Sequence, residues 1–189
     1  VTQEARPLRA DARRNRARVL DAAEAVLAAQ GVGASMRAIA REANLGLGTI
    51  YRHFPTREAL FQAILANRAR RMIAHAAALR EAPDPGEAFF GFFAALVAES
   101  ARKKAMVDVL AAAGIDPKAG ASSVAEAMRE AIAALLGRAQ RAGAVRADLG
   151  MAELLAILGG LCLGAERDPW PDEVRARVLA ITFDGFRPR

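Results

Sequence analysis

Between Met36 and Leu60 apolar residues recur at helical spacing, stop, and recur again. Met36, Ile39, Ala40 and Ala43 fall at i, i+3, i+4 and i+7, one face of a helix. Asn44-Leu45-Gly46 interrupts the pattern, and both Asn and Gly tolerate the left-handed backbone of a sharp turn. Thr49, Ile50, Tyr51 and Phe54 then resume helical spacing. Two short helices joined by a turn of about three or four residues form a helix-turn-helix, whose second helix enters the DNA major groove. Short helical hairpins also occur in proteins that never touch DNA, so spacing alone leaves both readings open. The Gly46–Gly48 sequence, GLG, lacks the phosphate-loop pattern and a preceding strand, which argues against nucleotide binding there.

The same patterning extends along the chain. Val19, Leu20, Ala23, Val26 and Leu27 make one stripe of a helix over about Arg13 to Gln30, ended by Gly31. Ser35 is a candidate N-cap for a helix over Met36 to Ala43. A third helix, about Leu47 to His53, stops at Pro55, and Thr56 caps a fourth that reaches about Arg80. Glu81 to Gly86, with two prolines, is a linker. Beyond it the pattern predicts helices over Glu87 to Ala101, carrying Phe89, Phe92, Phe93, Leu96 and Val97 on one face, and over Met106 to Ala113. Ser123-x-x-Glu126 reads as a capping box opening a helix to about Ala142. Met151 to Glu166 and Asp172 to Phe186 close the series. The expectation is an all-α chain of about nine helices with no sheet, since β-branched and aromatic alternation is missing. Its expected divisions are a basic flexible arm at 1–11, a helix-turn-helix domain at 12–55, a connecting helix at 56–82 and a helical domain at 83–189.

Charge changes this picture because it is unevenly placed. Residues 1–71 hold 13 Lys and Arg against 6 Asp and Glu, a net of +7, whereas residues 72–189 hold 14 against 15, a net of −1. The whole excess lies in the segment with the helix-turn-helix pattern, which is the electrostatic footprint of nucleic-acid binding. Arg6, Arg9, Arg13, Arg14, Arg16 and Arg18 alone would also suit a solvated tail, but Arg37, Arg41, Arg52 and Arg57 repeat the sign inside the motif. At 53% hydrophobic the chain has area enough for a sizeable core. The longest apolar run, Leu154 to Ala165, is about twelve residues, too short to span a bilayer. The start is polar and Arg-rich, without a signal-peptide apolar region. These features lead us to expect a soluble, cytoplasmic protein with no membrane partner. The one cysteine, Cys162, excludes an intrachain disulfide. His53 and His75 are 22 residues apart with no metal-ligand spacing around them, so no metal, cofactor or catalytic residue is expected. A helical enzyme is thereby disfavoured. A helical small-molecule-binding protein without DNA function stays as the alternative, distinguished by having no palindromic target.

Over about residues 13–65 the chain resembles the tetracycline-repressor (TetR) family of bacterial transcription regulators. The resemblance rests on RVLDAAEAVLAAQG, on Ser35 with Ile39-Ala40, on GTIYRHF from Gly48 to Phe54, and on Thr56-Arg57-Glu58-Ala59-Leu60. Past about residue 70 only length and helicity agree. The resemblance implies that the third helix is the recognition helix, with Gly46, Leu47, Gly48 and Thr49 at its groove end. Arg37 is then the candidate for a bidentate guanine contact, and Arg52 for a base or phosphate. For the phosphate backbone, Ser35 and Thr49 offer hydroxyls, Tyr51 and His53 match the family's clamping positions, and Arg57 matches its basic position at the start of the fourth helix. The sequence departs from the family pattern at Ala38, where an acidic residue would complete a capping box with Ser35, and at Asn44, where Gly is commoner.

For the C-terminal part the resemblance implies a homodimer and a pocket for a small apolar or amphipathic effector. Candidate lining residues are Phe89, Phe93, Met106, Leu110, Met128 and Trp170. Candidate interface residues are Leu154, Leu155, Leu158, Leu161, Cys162, Val178, Ile181 and Phe183. Each has plain intrachain core as its competing role. The implied function is a sequence-specific regulator, a repressor released from a palindromic operator by its effector.

Overall fold

The structure, a computed structural model, describes residues 5–116, 122–168 and 170–188. Among these residues there are eight helices and no strand: α1 (Ala5–Gln30), α2 (Met36–Glu42), α3 (Leu47–His53), α4 (Arg57–Leu79), α5 (Pro85–Ala112), α6 (Ser122–Arg141), α7 (Met151–Arg167) and α8 (Asp172–Phe186). None of them is long and apolar enough to cross a membrane. The all-α expectation holds. The ninth expected helix does not exist separately, because the expected helices at 87–101 and 106–113 fall on the single helix α5, which ends at Ala112. The polar stretch Arg102-Lys103-Lys104 interrupts the apolar stripe, but Arg and Lys are good helix formers, so the helix runs through. At the other end α1 begins at Ala5, not near Arg13. Pro7 lies in its first turn, where no intrahelical N–H is lost. α6 starts at Ser122, which puts Ser123 inside the helix instead of at the N-cap position expected of it.

Packing divides the chain into two units. Val1–Arg68 and Ala105–Pro117 form the first; Ala69–Lys104 and Lys118–Arg189 form the second. In the first unit Val19, Leu20, Ala23, Val26 and Leu27 of α1 are all buried, as their stripe predicts. They share a core with Ile39 and Ala40 of α2, Ile50 of α3, and Leu60, Phe61 and Ile64 of α4. Met106 and Leu110, from the last turns of α5, complete that core.

In the second unit Phe89, Phe92 and Phe93 of α5 are buried with Ile132, Leu135 and Leu136 of α6, Leu154 and Leu158 of α7, and Leu179 and Phe186 of α8. The rings of Phe89 and Phe93 lie 6.4 and 5.6 Å from that of Phe186, within the range of favourable aromatic pairs. Two polar side chains tie loops to this core. Arg138 donates to the carbonyls of Leu79 and Ala82 at 3.0 and 2.9 Å, satisfying the carbonyl end of α4. The Gln140 amide donates to the carbonyls of Arg146 and Leu149 at 3.1 and 2.9 Å.

Candidate nucleic-acid interface

The turn between α2 and α3 is built as its sequence requires. Ser35 caps α2, its Oγ accepting from the Ala38 amide at 3.1 Å, so the missing acid at Ala38 does not prevent the cap. Asn44 takes the left-handed conformation, with φ of 51°, which Asn tolerates better than most residues. The amides of Asn44 and Leu45 then return to the carbonyls of Arg41 and Ala40, both at 3.0 Å, closing the end of α2. Arg18 of α1 reaches across and donates to the Ala43 carbonyl at 2.8 Å. Ile50 is fully buried and Phe54 nearly so, anchoring α3 by its inward face. Arg16 stacks over the Phe54 ring at 5.1 Å, and cation–π contacts of this kind add modestly to packing.

This anchoring fixes what α2 and α3 present outward. Arg37, Gly46, Gly48 and Arg52 are exposed, and Tyr51 is 45% exposed, unusual for a large aromatic residue. The Arg52 guanidinium donates to the Thr49 hydroxyl at 3.1 Å. Leu47 is half-buried against the core of its own unit. His53 is half-buried, its ring 6.3 Å from that of Phe54. Thr56 caps α4, accepting from the Ala59 amide at 3.1 Å. Arg57, next in sequence, stacks on Phe61 at 5.3 Å from the ring centre. Its Nε and Nη2 are buried without an acceptor. The candidate DNA residues are thus gathered on the first unit.

The residues grouped as a pocket are divided. Phe89, Phe93, Met128 and Trp170 belong to the core of the second unit, but Met106 and Leu110 belong to the core of the first. The space enclosed by Phe89, Phe92, Phe93, Leu96, Ile132 and Leu135 amounts to about 10 Å³, room for at most about one water. The residues grouped as a dimer face are divided too. Leu154 and Leu158 are buried in their own chain and leave almost no surface for a partner. Leu155, Leu161, Cys162 and Phe183 are half-buried on the same core, and burial pushes the Cys162 thiol pKa up. Val178 is half-buried, and Ile181 is 62% exposed.

Sequence reasoning missed Ile157, Leu163 and Val174, which are also exposed on α7 and α8, Leu163 at 66%. A signal for them existed: α7 carries apolar residues all round, and such a helix buries more than one face. Among the described residues no group of three His, Cys, Asp or Glu is placed to hold a metal.

Two family models match the chain. One, described as bacterial regulatory proteins of the tetR family, covers residues 19–64. The other, described as the C-terminal domain of SbtR-like transcriptional regulators, covers residues 84–188. The HTH-type transcriptional regulator UidR of Escherichia coli (strain K12) is 30% identical over 85% of this chain and 84% of its own. A TetR transcription regulatory protein from Mycobacterium vanbaalenii has a similar crystal structure, with a TM-score of 0.79 and 42% identity, over 96% of this chain and 100% of that one. A TetR transcriptional regulator from Streptomyces coelicolor gives a TM-score of 0.75 and 32% identity, over 92% and 98% of the two chains. Regulators of this kind bind DNA, act as dimers with small-molecule ligands, and are generally not enzymes. With a C-terminal model covering more than half its length and a tetR-family model over its helix-turn-helix, the chain belongs to the TetR family of DNA-binding transcriptional regulators.

Proposed function

We propose that this regulator is a cytoplasmic repressor that works as a homodimer on a palindromic operator and leaves it when a small apolar or amphipathic effector binds the second unit. The observation that carries the operator half is the outward set on α2 and α3: Arg37, Tyr51 and Arg52 exposed, with Ile50 and Phe54 locking the helices beneath them. In this reading Arg37 reads a guanine edge, Arg52 a base or a phosphate, and Ser35, Thr49, Tyr51 and His53 hold the backbone. Arg57 leaves Phe61 to meet a phosphate, which supplies the acceptor its buried nitrogens lack. One helix-turn-helix per chain needs a two-fold partner, and half-sites then repeat at about 10 bp or a multiple. Exposed Ile157, Leu163, Val174 and Ile181 supply an apolar surface for that partner on α7 and α8.

The effector half rests on the aromatic core of α5. A void of about 10 Å³ admits no effector, so binding requires Phe89, Phe92 or Phe93 to move, with Met128 close enough in the same core to repack. The ligand therefore selects an opened state, and it shifts DNA affinity only by its differential affinity for the two states. Selection from random duplexes should return an inverted repeat. A thermal-shift screen should return apolar compounds that stabilise the protein and, by reciprocity, weaken operator binding. Selected sites without two-fold symmetry would overturn the dimeric operator reading, and stabilising ligands that leave DNA affinity unchanged would overturn the effector reading.

A further inference from the structure

Gly46 and Gly48 lie at the N-terminal end of α3, and no clash or left-handed backbone inside the molecule requires glycine at either place. Gly46 is the N-cap of α3, with φ of −65° and ψ of 142°, a conformation open to every residue. Gly48, in the first turn, does not adopt the left-handed backbone either. A Cβ on either residue would meet no atom within 4 Å, so no neighbour is being spared a clash. Contrast Gly86, where a Cβ would lie 2.7 Å from that of Ala144, or Gly31, whose φ is +72°.

Two glycines without an internal reason also have a cost. Glycine weakens a helix relative to alanine, and an N-cap glycine leaves α3 without a side-chain cap hydrogen bond, where Ser or Thr would supply one. α3 has only seven residues, so the cost falls on a helix with little stability of its own. Both glycines are exposed, on the helix that also exposes Tyr51 and Arg52. On the same helix the Arg52 guanidinium donates to the Thr49 hydroxyl.

We infer that Gly46 and Gly48 are specificity-determining through the side chains they lack: they let the backbone at the start of α3 come into van der Waals contact with duplex DNA, about 1.5 Å closer than a Cβ would allow. The inference rests on the operator-binding reading above. The close approach brings the Arg52 guanidinium, held by Thr49, to the depth at which it meets base edges. Specific and non-specific complexes then differ at this point, because only the specific one seats the helix fully in the groove.

The test uses the full-length protein with Gly48→Ala, and with Gly91→Ala as control. Gly91 is likewise exposed and lies within α5, and a Cβ there would also meet no atom within 4 Å. Thermal unfolding, oligomeric state, and affinity for the selected operator and for a scrambled duplex are measured for each. Both variants should keep or raise Tm, by up to about 3 °C. Gly48→Ala alone should lose operator affinity, by about ten- to a hundredfold, the usual scale of a forced extra methyl in a packed contact. Its affinity for the scrambled duplex should not change. Wild-type operator affinity in Gly48→Ala, or an equal loss in Gly91→Ala, would overturn the inference while leaving the operator reading intact. A wild-type protein that prefers no duplex over any other would overturn both.

Discussion

In the first unit the core is closed beneath a surface of arginines, and Arg37, Tyr51 and Arg52 stand on the outside of it. In the second unit the aromatic residues belong to the core, and the large apolar side chains exposed on α7 and α8 are Ile157, Leu163, Val174 and Ile181. In the function proposed above, one unit meets its partner with charge and hydrogen bonds, the other with apolar area. The two kinds of contact respond to different variables. Charge is screened by salt and steers association at a distance. Apolar burial is short-ranged and insensitive to moderate salt. Salt, surface charge and cavity-filling substitutions should then separate the functions of the two units.

Salt is the strongest lever. If the dimer neutralises about 6–10 phosphates, operator affinity should fall on the order of 10³- to 10⁵-fold between 50 and 200 mM salt. Dimer association should change little over the same range. Fluorescence anisotropy and sedimentation measured on the same samples compare the two directly. A salt slope near zero for DNA would erase the contrast between the units.

The reverse experiment places charge on the apolar face. Leu163 and Ile181 are 66% and 62% exposed, so replacing both with Glu should not disturb the fold of the chain. In a dimer each buried leucine or isoleucine contributes about 1.5–3 kcal/mol, and symmetry doubles the loss. The doubly substituted protein should sediment as a monomer and bind a single half-site far more weakly than the wild type binds the palindrome. A dimer that survives both charges would place the partner elsewhere.

A third test separates stability in the second unit from DNA reading in the first. Gly86 is buried, and its Cβ would lie 2.7 Å from the Cβ of Ala144, a side chain that cannot turn aside. Gly86→Ala should cost about 1–3 kcal/mol through overpacking. Amide exchange should quicken around α5 and the 142–150 segment, with α2 and α3 unaffected. Faster exchange in α2 and α3 as well would mean the two units unfold as one.

The units also differ in how much of them their sequence disclosed. In the first, one inward face per helix and strong stop signals left little freedom: Ser35, Asn44, Pro55 and Thr56 each act on their immediate neighbours, so local chemistry sets α2, α3 and the start of α4. The outward residues were implied by the family resemblance, and the burial of Ile50 and Phe54 agrees with the face it gave them. In the second, apolar residues cover most of each helix, and periodicity no longer says which faces meet the chain and which meet a partner. Leu154 and Ile157 look alike in sequence, yet one is buried and the other is 38% exposed. The continuity of α5 is hidden for a related reason. Helix breaks are signalled by Gly and Pro, and a change of polarity such as Arg102-Lys103-Lys104 imitates one without being one. Met106 and Leu110, beyond that stretch, pack in the core of the first unit.

The smallest expected effect probes the cap that opens α4. The Thr56 hydroxyl accepts from the Ala59 amide at 3.1 Å, one of the helix-end amides that has no intrahelical acceptor. Thr56→Ala removes that bond and should cost about 1 kcal/mol, or about 2–4 °C in Tm for a chain of this length. Thr56→Ser keeps the hydroxyl and should restore most of the loss. Because α4 begins in the first unit and Leu60, Phe61 and Ile64 are buried in its core, the faster amide exchange should appear at the start of α4, with the aromatic core of the second unit unchanged. Arg57 follows the cap directly, so a frayed first turn also loosens its stack on Phe61. If Arg57 meets phosphates and reads no base, as proposed above, operator and scrambled-duplex affinities should then fall together, by a small and equal factor. A loss confined to the operator would instead make the start of α4 part of the base-reading surface.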